Sequence, residues 1–306
     1  MGEERERLFM SDFKIVTDST SDLPQAMVDE LGVTVIPMNF TIGDDSFFNY
    51  PDEREISSHD FYVRLSAGQS STTNQISLAT FTETFEPMLK DGHDVLYLGF
   101  SSGLSGTYNN SVIAAKDLAQ RYPDRKVYAV DTLAASMGEG LLVWHAAQLQ
   151  KEGKTIDEVR GWMEQNRNFM HHWFTVDDLN HLKRGGRISG ASALVGTVLG
   201  IKPVMHFDDE GHIILVDKIR GRKQSLDDLT VHMKKTAEAP GSQMIFIASA
   251  DSPESSEYVK KQVATLFGTK QFAIGNIGPV IGAHSGPGTV ALFYLGVDRQ
   301  TGIESK

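Results

Sequence analysis

Three stretches of this sequence carry hydroxyl, amide or imidazole groups at spacings that suit an anionic ligand. Ser105-Gly106-Thr107 stands where a strand-like run meets a helix-like one. Free backbone N–H groups and the helix dipole favour an anion at such a junction, and a glycine permits close approach. A helix-capping role for Ser105 accounts for the same residues. Ser71-Thr-Thr-Asn-Gln-Ile-Ser77 offers hydroxyls and amides that can bond an anion, or that can serve a capping loop. In His284-Ser-Gly-Pro-Gly288 an imidazole precedes two glycines and a proline in a turn of fixed shape, which makes His284 a candidate site residue against the alternative of a surface histidine. Two basic segments, Lys183-Arg-Gly-Gly-Arg187 and Arg220-Gly-Arg-Lys223, suit phosphate or an acidic partner, or are solvated loops.

Self-contained catalysis lacks its usual signatures. The sequence has no G-x-x-x-x-G-K-[ST] phosphate loop and no H-E-x-x-H zinc pair. Gly138-x-Gly140 is followed by Val143 where a dinucleotide fingerprint wants Gly or Ala, so it reads as helix packing. No G-x-S-x-G elbow surrounds Ser105 or Ser285.

The elements that must position these residues follow from pattern. Lys14–Asp18 reads as a buried strand and Pro24 as the first turn of a helix to about Leu31. The same strand–turn–helix grammar recurs at Asp94–Gly99 with a helix from Thr107 to about Arg121, and at Lys126–Val130 with a helix to about Glu152. Repeated βα units imply a parallel sheet covered by helices, with ligands beyond the carboxyl ends of the strands. The segments Asp18–Asp22, Ser101–Gly106 and Asp131–Ser136 are therefore expected on one edge. Between these units, Val33–Phe40 is β-rich, a short helix follows Ser57-Ser58, and a longer one follows Ser77 and ends near Gly92, kinked or shortened by Pro87. Past Gly153 the pattern changes. We expect a helix over Thr155–Phe169, a strand over His171–Val176 and a small-residue helix from about Ala191 to Gly200. A hairpin around Asp208-Asp-Glu-Gly211 is then followed by a helix, a strand at Met244–Ala248, a helix at Glu254–Phe267 and a final strand at about Phe272–Asn276. The fold class is α/β: an N-terminal parallel-sheet α/β/α domain over 13–155 and a C-terminal mixed α+β domain over 156–306, with residues 1–12 a disordered extension and the ligand between the domains.

Composition narrows the field. The 306 residues hold 29 Lys plus Arg against 40 Asp plus Glu, a net charge of −11 that repels polyanions and argues against nucleic acid as a partner. The absence of cysteine excludes disulfides, thiolate nucleophiles, Cys-ligated zinc and iron–sulfur clusters. No apolar run approaches the roughly 20 residues that span a bilayer, and the charged start lacks a signal peptide's apolar core, so a cytoplasmic protein without integral membrane contact is expected.

Taken in order, Val16-Thr-Asp-Ser-Thr20, Thr73-Asn-Gln-Ile-Ser77, Ser101-Ser-Gly-Leu-Ser-Gly-Thr-Tyr108, Asp131 with Ser136-Met-Gly138, Leu182-Lys-Arg-Gly-Gly-Arg187 and His284-Ser-Gly-Pro-Gly288 resemble the DegV family over about Phe13–Val297. The resemblance implies a two-domain bacterial fatty-acid-binding protein, in some cases the acyl-carrying subunit of a fatty acid kinase whose partner supplies the ATP chemistry. By position Thr73 is similar to the family's carboxylate-binding Thr in T-S-Q-P, Ser105 with Gly106 to L-S-G-T, and His284 to the histidine near the head group. Asn74 and Ile76 depart from the first motif. Arg184, Arg187, Arg220 and Arg222 fall in the family's basic segments, implicated in kinase docking or the head-group region. The resemblance thus implies a non-enzymatic carrier with no catalytic residue, no cofactor and no metal, whose ligand is a long-chain fatty acid such as palmitate. The residues alone leave two rivals open: a serine acyl-transferase or hydrolase with Ser105 as nucleophile and His284 as base, and a phosphosugar or nucleotide binder, for which no basic residue is adjacent to Ser105 in sequence.

Overall fold

The computed structural model describes residues 13–188, 200–301 and 303. The expected extension over 1–12 and, except for Gly200, the expected small-residue helix lie outside the described residues. The chain opens with β1 (Phe13–Asp18), a 3-10 turn (Ser19–Ser21), α1 (Gln25–Leu31), β2 (Thr34–Ile36), β3 (Met38–Ile42), β4 (Asp45–Asn49), α2 (Ser58–Ser66) and β5 (Ser71–Thr73). It continues through α3 (Leu78–Lys90), β6 (Asp94–Gly99), α4 (Thr107–Arg121), β7 (Val127–Asp131), α5 (Met137–Lys151) and α6 (Ile156–Asn166). The described elements are completed by β8 (Met170–Thr175), α7 (Asn180–Arg184), β9 (Ile201–Phe207), β10 (Ile213–Arg220), α8 (Arg222–Thr236), β11 (Met244–Ser249), α9 (Pro253–Phe267), β12 (Gln271–Asn276), α10 (Pro279–Ser285) and β13 (Val290–Leu295).

Strands β2-β1-β6-β7 form a parallel sheet in that order. Its central strands are apolar runs buried along nearly their whole length, as a sheet covered on both faces requires. Helix α3 continues through Pro87 to Lys90 and packs Phe81, Phe85 and Leu89 from one stripe, so the anticipated shortening does not occur. Helix α6 lies against β7 and β6.

A six-stranded mixed sheet of order β10-β9-β8-β13-β11-β12 makes the second layer system. Among the described residues, β11 and β12 pair in parallel within it and the remaining neighbouring strands are antiparallel. The expected final strand is β12, an edge strand. The chain then forms α10 and returns as β13 to the middle of the sheet, where Val290-Ala-Leu-Phe-Tyr294 is buried on both faces. Helix α10 and strand β13 thus lie beyond the last element expected from the sequence. A third sheet, antiparallel with order β4-β3-β5, was also not foreseen.

One hydrophobic cluster runs continuously from the parallel sheet to the inner face of the mixed sheet, and a smaller one lies between that sheet and α8 and α9. Helix α5 is the spacer between the two large sheets. A Cβ on Gly138 would fall 2.3 Å from the His172 ring, and one on Gly140 would fall 2.7 Å from the Ser21 carbonyl. The pair Gly138-x-Gly140 therefore serves close packing.

Candidate ligand-binding site

The loops after β1, β6 and β7 meet on one edge. Asp18, at the end of β1, accepts hydrogen bonds from Thr20 N at 2.9 Å, Tyr97 Oη at 2.6 Å and Phe100 N at 3.3 Å, which ties the first loop to the second. Asp131 Oδ1 accepts from Ser102 N at 3.2 Å and ties the second loop to the third. Ser136 donates to Asp22 Oδ2 at 2.6 Å and closes the ring of contacts. Ser136 stands at φ 53°, a left-handed conformation that a non-glycine residue adopts at a cost.

Beyond this edge lies a cavity of about 580 Å³ between the parallel sheet, β5 and the inner face of the mixed sheet. Its walls are largely apolar, with Phe100, Leu104, Phe174, Phe207, Ile281 and Phe293 among them. Its polar lining residues include Thr73, Ser105, Arg187 and His284, and also Ser136, His172 and Thr289. This volume and this mixture fall within the usual range for small-molecule sites, about 300–1,000 Å³.

Thr73, Ser105, Arg187 and His284 come from four separate elements. Thr73 ends β5, which pairs with β3 so that Thr73 faces Phe40. Its Oγ1 lies 2.8 Å from His284 Nε2, in the last turn of α10. Ser105 precedes α4; its hydroxyl donates to Thr107 Oγ1 at 3.0 Å and accepts from Thr107 N at 3.2 Å. The N-cap of α4 is Gly106, so Ser105 stands one residue before it, bonds the first helical N–H and lines the cavity. The two departures in Thr73-Asn-Gln-Ile76 have local partners. Asn74 Nδ2 donates to Asn39 Oδ1 at 2.8 Å, and the Ile76 N–H donates to Thr107 Oγ1 at 3.3 Å, a bond that proline could not make. Together with Asn110 Nδ2 donating to the Ile76 carbonyl at 2.8 Å, these bonds fix the β5–α3 loop against the start of α4 and so bring Thr73 and Ser105 to one cavity. Gln75 closes over Gly106, where an added Cβ would fall 2.2 Å from Gln75 Oε1.

Of the four arginines only Arg187 lines the cavity. Its Nε donates to the Leu104 carbonyl at 3.2 Å, one residue before Ser105, and its guanidinium also bonds the Gly185 carbonyl. A basic group absent beside Ser105 in sequence is therefore supplied in space. Arg184 is exposed and approaches His181 Nδ1 at 3.1 Å; Arg220 is exposed at the end of β10. Arg222 bonds the Gly288 carbonyl and lies 3.7 Å from Asp177.

Burial, with the nearby Arg187 charge, pulls the His284 pKa down to about 4, so the ring is neutral near pH 7. His284 Nδ1 and Ser285 Oγ, both of residues lining the cavity, are buried and have no hydrogen-bond partner among the described residues. His284 Nδ1 faces the Gly185 backbone, where an added Cβ would fall 2.3 Å from it, which leaves Ser285 Oγ as the unsatisfied atom that a polar ligand group would complete. His172, a neutral buried imidazole on the far wall, was not singled out from sequence because a strand histidine among aromatic residues carries no motif.

These features define an α/β protein with a ligand-sized cavity between its two large sheets and polar groups supplied to it from four elements. A family model described as an uncharacterised protein of the DegV family matches residues 12–297. A DegV domain-containing protein of Clostridium perfringens is 43% identical over 291 residues, covering 95% of this chain and 100% of that protein. Among solved structures, a DegV family protein from Thermus thermophilus, described for its fatty acid binding, is similar with a TM-score of 0.82 at 32% identity, over 94% of this chain and 100% of that one. DegV of Bacillus subtilis, described as a fatty acid binding protein, is similar with a TM-score of 0.81 at 26% identity, over 94% and 99%. The chain belongs to the DegV family.

Proposed function

We propose that this protein binds a long-chain fatty acid, with the carboxylate at Thr73, Ser105, Arg187 and His284 and the acyl chain in the apolar part of the cavity. The observation that carries this reading is the joint placement of these four residues on the lining of a largely apolar cavity of about 580 Å³. A buried carboxylate stays ionised only where hydrogen bonds and charge compensate its lost hydration. Thr73 and Ser105 offer hydroxyls, the turn at Gly106 offers backbone N–H groups, and Arg187 supplies the positive charge. The neutral His284, bonded to Thr73 Oγ1, orients that hydroxyl toward the head group. The tail dominates affinity: at about 0.8 kcal/mol per buried methylene, roughly fourteen contribute on the order of 11 kcal/mol before the costs of association. The fatty acid binding described for the relatives from Thermus thermophilus and Bacillus subtilis supports the same ligand class.

The protein acts as a carrier, presenting the carboxylate to a separate ATP-dependent fatty acid kinase for acyl-phosphate formation, with Arg184, Arg220 and Arg222 on the side that meets the kinase. The hydrolase reading is less well supported: the Ser105 hydroxyl is directed to Thr107, and His284 is bonded to Thr73. A nucleotide or phosphosugar would leave the aromatic and aliphatic walls without a partner. Native mass spectrometry of the purified protein, before and after delipidation and reloading, tests the reading. One exchangeable fatty acid per chain is expected; no co-purifying and no exchangeable fatty acid would overturn it. The carrier step is tested by ATP-dependent acyl-phosphate formation when the loaded protein is mixed with a fatty acid kinase subunit, lost in an Arg184→Glu, Arg220→Glu variant that still binds fatty acid.

A further inference from the structure

We infer that Asp217, Asp228 and His232 form a divalent-metal site suited to Zn²⁺, on the face of the mixed sheet covered by α8 and remote from the fatty-acid cavity. Asp228 and His232 are four residues apart on α8 and so share one face of that helix. Asp217 comes from β10, where the register against β9 shifts between Leu215 and Asp217. An irregularity of that kind re-aims a strand side chain. One oxygen of each carboxylate and one nitrogen of the imidazole all lie within 4.8 Å of one another. His232 Nε2 is 3.3 Å from Asp217 Oδ2 and 3.2 Å from Asp228 Oδ2.

Two observations favour a metal over a simple ion pair. The first is that Nε2 of His232 and Oδ2 of Asp228 are buried and yet lack a hydrogen bond among the described residues, although they lie at ion-pair range. The nitrogen belongs to a residue only 4% exposed, whose ring is stacked on Trp173 at 3.6 Å and 7°. The second is distance. Bonds of about 2.0–2.1 Å to N and O ligands at tetrahedral angles place neighbouring donor atoms ~3.3–3.4 Å apart. Both His232 contacts are close to that separation. One imidazole and two carboxylates leave a fourth position for water. The ion would join α8 to β10, the two elements that flank Arg220-Gly221-Arg222, and so stiffen that basic corner.

The test uses untagged full-length protein, stripped with a chelator and titrated with Zn²⁺ and with Co²⁺. Expected are one equivalent of Zn²⁺ by calorimetry and elemental analysis, a higher melting temperature, and a Co²⁺ absorption spectrum of tetrahedral type. His232→Gln and Asp228→Asn should each remove the equivalent while the far-ultraviolet circular dichroism stays unchanged. Absence of stoichiometric Zn²⁺ binding in the parent chain, or an equivalent that persists in both variants, would overturn the site. If a variant fails to fold, the His232 ring resonances of the parent chain decide: a shift on adding one equivalent of Zn²⁺ supports the site, and no shift overturns it.

Discussion

At the scale of single residues, the polar lining of the cavity depends on contacts short enough for small substitutions to read them out. A hydrogen bond to a charged group contributes about 1.5–3 kcal/mol. Thr73→Val and Ser105→Ala are each expected to weaken fatty acid binding about tenfold or more while leaving the fold intact, measured by displacement of a fluorescent fatty acid; unchanged affinity in both would show that these hydroxyls do not hold the head group. Gly185 tests His284 from behind. A Cβ there would fall 2.3 Å from His284 Nδ1, so Gly185→Ala must push the ring away from Thr73. Its backbone φ of −70° tolerates alanine, and the expected loss is therefore in ligand affinity rather than in folding. The motif residues Thr73, Ser105 and His284 were legible in the sequence because each sits in a short polar or glycine-rich stretch. Arg187 was legible only as one of several cations. Its contact with Leu104 joins positions 83 apart, which no local pattern encodes.

Among elements, the ends of β1 and the start of α5 are tied by buried acids. Thr17 and Thr20 each donate to Glu139 at 2.8 Å, and burial raises the pKa of both Asp18 and Glu139. Asp22, bonded by Ser136 and by Gly278 N at 2.9 Å, is pushed up by burial from 3.8 to about 7. The folded chain thus keeps the Asp22 proton between about pH 4 and 7 while the unfolded chain has lost it, so this residue's contribution to stability falls as pH rises through that window and is level above it. Asp22→Asn removes that dependence. In urea titrations, the stability of the variant relative to wild type should rise from pH 4.5 to pH 7 and then stay constant; a pH-independent difference would refute the raised pKa. The βα units were readable here because each strand is a continuous apolar run closed by Asp, Ser or Gly, and α4 begins and ends where the pattern placed it. The β4-β3-β5 sheet was not, since β5 is Ser-Thr-Thr with no apolar alternation and β4 sets two phenylalanines side by side. Those strands are defined by pairing across the chain, and a sequence window sees only one partner at a time.

For the whole molecule, the cavity is walled by both large sheets, so the ligand and the sheet-to-sheet contact stabilise each other. Fatty acid at a hundred times its Kd should add about 2.7 kcal/mol to unfolding, read as a melting temperature several degrees above that of the delipidated chain. Gly103 is a point where the two parts touch: a Cβ there would fall 2.8 Å from the Glu210 carbonyl oxygen. Gly103→Val is expected to wedge this contact open and to lower both ligand affinity and the ligand-induced thermal shift, measured by the same melting assay. The position of β13 carries a further consequence, for synthesis. The last strand described lies between β8 and β11, and its Ala291 and Phe293 form part of the cavity wall. A nascent chain that has not yet released Val290–Leu295 from the ribosome holds two half-sheets with open edges and a pocket missing one side. A chain truncated before Val290 is therefore expected to lack part of the cavity wall and to aggregate through its bare edges.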